Sequence, residues 1–311
     1  MLDRTRSCQL LTGERPASDP GEPASRSLFD PLGPDAVACA AEEMGVKKAK
    51  AAPAHQFGLA VLGGAFVALG AMFATVAIAG ADHLLPWGVM RLLMGAAFSM
   101  GLMLVVVAGA QLFTSDALMV MAWASGRLDT RRMLRVWTLV WLGNLVGALG
   151  TAVIVFFGGQ YGAGHGEVGA SALYLASSKA SLAPFKAFSL AILCNVLVCL
   201  ATWLSLAARS VTDKIVAMFL PITAFVAAGF EHCVANMYFV PYGLLVKWFA
   251  PASFWAEPAA QARAAAEIPV GQYLVNLGVV TLGNWVGGAL LVAGAYWWLF
   301  RRGDVRLRAV R

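Results

Sequence analysis

The chain has 311 residues, of which 59% are hydrophobic and only 13% charged, about half the charge share of a soluble domain. That balance excludes an ordinary soluble globule and indicates a polytopic membrane protein. The net charge of +6 does not argue for a nucleic-acid partner, because the basic residues sit in short loops between apolar segments, where they set topology.

In chain order, residues 1–27 lack the apolar core of a secretory signal and are rich in Pro, Ser and charge, so a disordered cytoplasmic tail is expected. Residues 28–55 read as a cytoplasmic lead-in. Pro34 and Asp35 mark a helix start, and Ala36 to Lys50 mixes small apolar residues with Glu42, Glu43, Lys47, Lys48 and Lys50, as in a helix lying along the membrane surface. Six apolar segments follow within a channel domain at 56–301, at about 57–80, 88–125, 134–158, 186–208, 213–249 and 271–300. A cytoplasmic tail is expected at 302–311.

Two of the six segments are too long for one regular span. The second is interrupted by Gly109-Ala110-Gln111-Leu112-Phe113-Thr114-Ser115-Asp116, and the fifth by Gly229-Phe230-Glu231-His232-Cys233-Val234-Ala235-Asn236-Met237. Irregular backbone at membrane depth is tolerated where it is buried in protein or lines a path. Each interruption is followed by a similar motif, Gly143-Asn144-Leu145-Val146-Gly147 and Gly283-Asn284-Trp285-Val286-Gly287, and the spacing differs by roughly the connection at 251–270. The pattern predicts an all-α membrane protein with six transmembrane helices, two of them broken, in two three-helix repeats.

Loop charges orient it. Arg127, Arg131, Arg132 and Arg135 share one loop, Arg209 and Lys214 another, and Arg301, Arg302, Arg306, Arg308 and Arg311 follow the last segment. Both termini are then cytoplasmic, and three spans per half make the repeats inverted. The cysteines Cys8, Cys39, Cys194, Cys199 and Cys233 form no C-x-x-C pair and indicate neither a disulfide framework nor a zinc site. His55, His83 and His165 lie near segment edges, and no H-E-x-x-H or nucleophile elbow is present, so an enzyme, a metal or a cofactor is not expected.

Residues 28–50, Leu112-Phe113-Thr114-Ser115, the two Gly-Asn motifs and Gly229 to Met237 together resemble the formate/nitrite transporter family, and more closely its formate channels. The similarity runs from about Leu28 to Arg301. It implies an aquaporin-like fold, a homopentamer with one pore per protomer, and an inner-membrane location. It also assigns pore positions: the central histidine is matched by His232 with its neighbour Glu231, and the first broken helix supplies Thr114 and Leu112. Phe98, Leu102 and Phe225 match the apolar constrictions, Lys179 the basic residue of the periplasmic vestibule, and Asn195 an asparagine of the fourth helix. Formate channels often carry Asp before Leu-Phe-Thr-Ser, and here Gln111 stands there.

An ion of carboxylate size meets a barrier on the order of 20 kcal/mol in an idealised apolar medium, which the neutral acid largely avoids. The expected mechanism is that Lys179 draws the anion and His232 exchanges the proton, since an imidazole titrates in the physiological range. Thr114 and Asn195 are expected to position the anion's oxygens. Glu231 is expected to support the helix break by accepting backbone N–H groups, and Asn144 and Asn284 to serve helix packing. The expected partners are a small monovalent anion, formate first, with protons and the lipid bilayer. Nitrite, hydrosulfide and a neutral-solute pore remain as alternatives.

Overall fold

The computed structural model describes residues 30–82 and 84–303, and every regular element among them is helical. The tail at 1–27, Leu28, Phe29, His83 and the basic residues Arg306, Arg308 and Arg311 lie outside the described residues.

Helix α1 (Pro34–Lys50) opens on a proline, with Asp35 in its first turn and Lys47, Lys48 and Lys50 in its last, all suited to the helix dipole. It is packed into protein along one side. Val37, Ala38 and Ala41 are fully buried, and so is Glu42. Helix α2 (Pro53–Ile78) follows, then α3 (Trp87–Val107). The chain breaks and restarts as α4 (Phe113–Asp116), a 3-10 turn (Ala117–Met119) and α5 (Val120–Ala124). Helix α6 (Thr130–Phe157) is capped by Asp129, which accepts the Arg132 amide at 2.8 Å.

The connection after α6 holds a helix the sequence reading did not anticipate, α7 (Glu167–Ala180). Its small side chains, Gly169, Ala170, Ala172 and Ala176, are buried, and Lys179 stands in its last turn. Helices α8 (Pro184–Ala207) and α9 (Val211–Ala227) come next, the latter begun by a reciprocal Ser210–Asp213 cap. A second break leads to α10 (Cys233–Phe249). Short helices α11 (Ala252–Trp255) and α12 (Pro258–Gln261) fill the extra connection. The last rod is α13 (Val270–Trp285), a π-helical stretch (Val286–Gly294) and α14 (Ala295–Phe300).

Among the described residues, α2, α3, α6, α8 and the rod Val270–Phe300 are long and apolar enough to cross a membrane. The segment at 213–249, expected to be interrupted, is divided into α9 and α10, of 17 residues each. Glycine sets how closely these rods approach. A Cβ on Gly147 would lie 1.9 Å from the Val61 carbonyl oxygen of α2, and one on Gly287 would lie 2.2 Å from that of Ile192 on α8. The two Gly-Asn motifs thus press their helices onto matching partners.

Buried charge ties α1 to the rest. Glu42 accepts from Arg301 Nε at 3.1 Å and from Ser125 Oγ, with Arg127 at 3.5 Å, and Lys48 is ion-paired with the fully buried Asp116 of α4. Cys194, Cys199 and Cys233 are buried free thiols.

Candidate functional site

The two breaks have the same construction. Gly109 (φ +86°) and Gly229 (φ +75°) turn the chain in the left-handed region that favours glycine. The next amides fold back, Ala110 N–H to Val105 O at 2.8 Å and Phe230 N–H to Phe225 O at 3.0 Å. The following amides reach a neighbouring helix, Gln111 to Leu59 O at 3.0 Å and Glu231 to Leu190 O at 3.4 Å. Leu112 and His232 are then extended residues that precede α4 and α10.

One asparagine satisfies the backbone freed at each break. Asn144 accepts the Phe113 amide at 2.9 Å and donates to Ala60 O at 2.7 Å and Gln111 O at 2.9 Å. Asn284 accepts the Cys233 amide at 2.9 Å and donates to Ala191 O and Glu231 O, both at 2.8 Å. An orphaned buried backbone group costs about as much as a lost hydrogen bond, so each side chain holds its break in place.

Across the two breaks Thr114 Oγ1 meets His232 Nε2 at 3.0 Å, both side chains being buried. His232 Nδ1 accepts the Ala235 amide at 3.1 Å, capping α10. That bond fixes the neutral tautomer: the proton is on Nε2 and is donated to Thr114. Phe225 stacks on the imidazole at 5.9 Å between centroids, and Phe98 meets Phe225 edge-on at 5.6 Å.

A cavity of about 120 Å³ lies against one side of this contact, lined by His232, Glu231, Lys179, Phe98, Phe225, Phe239 and Arg91 among others. A second, of about 430 Å³, is lined by Gln111, Leu112, Ser115, Lys47, Lys48, His55 and Lys214 among others. They occupy opposite ends of the same two helices. On α3, Arg91, Met94 and Phe98 face the first and Val105 and Val106 the second; on α9, Phe225 and Val226 face the first and Lys214 the second. Leu102, buried on α3 between Phe98 and Val105, lines neither.

The polar residues expected at the site fall into distinct places. Lys179 Nζ donates to Glu231 Oε1 at 2.9 Å and stands 5.5 Å over the Phe239 ring. Glu231 Oε2 accepts from Asn236 Nδ2 at 2.7 Å, so its partners are two side chains and not the backbone amides expected. The carboxylate faces the first cavity, while the break's backbone is already held by Asn284. Asn195 is outside both cavity linings. Its amide donates to Thr114 O at 3.2 Å and Asn284 O at 2.6 Å, joining the first break to the last rod. Gln111 donates weakly to Asp116 at 3.5 Å, and its Oε1 has no hydrogen-bond partner among the described residues. The two breaks thus carry a carboxamide and a carboxylate in opposite order, Gln111 with Asp116 and Glu231 with Asn236.

Arg91, Tyr174, Ser178 and Phe239 also line the first cavity, and sequence reasoning missed them. Arg91 left one signal, a lone basic residue inside Trp87-Gly88-Val89-Met90-Arg91-Leu92-Leu93. The others lay on α7 and α10, whose facing sides only the fold reveals.

Residues 35–298 match the family model described as Formate/nitrite transporter. The chain is 40% identical over 275 residues to "Formate channel FocA" of Escherichia coli (strain K12), covering 88% of this chain and 96% of that protein. It is 41% identical over 256 residues to the protein of the same name from Haemophilus influenzae, covering 81% and 89%. Among solved structures, "Pentameric formate channel with formate bound" superposes with a TM-score of 0.74 at 41% identity, over 80% of this chain and 97% of that one. "FNT family ion channel" gives 0.70 at 27%, over 85% and 98%. With a family match over most of its length, and five apolar rods, the chain belongs, as a multi-pass membrane protein, to the formate/nitrite transporter family.

Proposed function

We propose that the protein conducts formate, or a closely similar small monovalent anion, across the inner membrane, and that the anion passes the constriction as its neutral acid. The carrying observation is the buried Thr114–His232 contact, set between two cavities that both present basic side chains. Phe98, Leu102, Leu112 and Phe225 wall this point with buried apolar groups, and a bare carboxylate there loses its hydration with little in return. Thr114 and His232 are the polar groups that meet it, Lys179 with Glu231 marks the outer mouth, and Asn195 braces the Thr114 carbonyl.

The topology proposed is six crossings in two inverted repeats of aquaporin-like form, each broken segment counting as one crossing. The matched glycines, matched backbone bonds and the Asn144 and Asn284 hubs support it. Arg127 and Arg209 lie in connections, and Arg131, Arg132, Arg135 and Lys214 near the starts of α6 and α9, at the ends that would face the cytoplasm with both termini. The likeness to a pentameric formate channel supports a homopentamer and a formate substrate.

His232 is the proposed proton donor and acceptor. To donate, the ring must first become imidazolium, and Nδ1 then gives up the Ala235 amide. That same bond favours a second reading, in which His232 only donates a hydrogen bond and vestibule water supplies the proton. Formate flux into liposomes, measured against external pH, tests both. The reconstituted protein should exceed protein-free vesicles and quicken as the outside is acidified; no flux at any pH sinks the proposal. His232→Asn keeps a capping side chain but loses the titratable proton. An altered pH profile is expected, whereas an unchanged one transfers protonation to water.

A further inference from the structure

The cavity beside His232 is lined by three charged residues, Lys179, Glu231 and Arg91. Lys179 and Glu231 lie 2.9 Å apart and are largely buried, so toward an arriving ion they act mainly as a dipole, and the aromatic face of Phe239 occupies another side of the ammonium. Arg91 is different. Among the described residues it forms no ion pair; its Nε donates to Ala227 O at 3.0 Å, one Nη to Val226 O, and the other Nη reaches Met94 Sδ at 3.5 Å. Those acceptors are neutral, as is the Trp87 ring 5.9 Å from the guanidinium carbon, so no carboxylate is paired with this charge among the described residues.

A guanidinium has five N–H donors in one plane. Two are committed to the last carbonyls of α9 and one to a thioether, a weak acceptor, which leaves donors for the cavity. The fork is also held still, anchored to the helix end just before the second break. Gly229 makes room for it: a Cβ there would stand 3.3 Å from the Arg91 Nη. A fixed fork that is not ion-paired and faces a small cavity suits a small planar oxyanion better than an ammonium already paired with a carboxylate does.

We propose that Arg91 is the anion ligand of this cavity, capturing a small carboxylate or comparable oxyanion before the His232 constriction, while Lys179 is committed to Glu231. This rests on the anion-conducting reading above. The test is the concentration dependence of formate entry from the Arg91 side, in sealed vesicles of uniform orientation and at several ionic strengths. Arg91→Gln should raise the apparent KM about tenfold and flatten the fall in entry rate with added salt, because steering by a fixed charge is screened by salt. Arg91→Lys, which keeps the charge but loses the planar fork, should keep the salt dependence and raise the apparent KM only about threefold. Arg132→Gln removes a like charge at the exposed start of α6 and serves as the control.

An Arg91→Gln KM within about twofold of the unaltered protein, or a tenfold rise in Lys179→Gln without one in Arg91→Gln, overturns the assignment. Equal loss in both Arg91 variants with unchanged salt dependence would reduce the residue to a helix cap and overturn it too. Absence of formate flux in the unaltered protein defeats the functional reading itself, a result separate from any of these.

Discussion

Asn144 and Asn284 each hold one amide and one carbonyl of a helix break and one carbonyl of a neighbouring helix, although neither lines a cavity. Replacing either by Ala strands two buried groups of the break, its amide and its carbonyl, and each costs about 1–3 kcal/mol when no water takes over. Both variants should therefore be destabilised by about 2 kcal/mol or more, and to a similar extent, as read from thermal unfolding in detergent. A large loss in one alone would separate the two breaks. At this scale the sequence was partly legible. His232, Glu231 and Thr114 stood out because polar side chains interrupt apolar runs, and the first two line or adjoin one cavity. Asn195, expected at the anion, lines neither cavity, and two nearby carbonyls take its amide hydrogens. Arg91 escaped notice because nothing local reveals that its partners are carbonyls more than a hundred residues away.

Among the elements, close helix contact is set by glycine. In Gly147→Ala a methyl group would be 1.9 Å from Val61 O, so α2 and α6 must separate along their length. Gly150, one turn further along α6, has nothing within 4 Å. Gly150→Ala should therefore stay within about 1 kcal/mol of the unaltered protein, while Gly147→Ala should lose several. Comparing the two melting temperatures checks this, and equal shifts would mean the helices yield easily. The breaks were readable from chemistry because Gly109 and Gly229 precede the only polar clusters in two overlong segments. Helix α7 was not, since its small residues give little apolar periodicity and its helical form depends on packing against α10.

The whole molecule leaves a broad apolar exterior in one protomer, with Phe157, Phe185, Leu220 and Leu299 among its most exposed side chains. Lipid or neighbouring copies must cover such a surface. Under the proposed assembly, native mass spectrometry from detergent should give five times the 32.8 kDa chain, and a monomer that conducts formate would refute it. Oligomeric state was not legible from composition, because lipid-facing and protomer-facing residues are equally apolar. The buried carboxylate of Glu42 has a different consequence, for the order of biosynthesis. Its hydrogen bonds reach Arg301, 259 positions later in the chain. Synthesis delivers Glu42 early and Arg301 only after the final rod, so through most of translation the first helix lacks the cation that completes its seat. Asp116, Ser125 and Arg127 can seat α1 earlier, and Arg301 completes that seat only once the last helix has been translated.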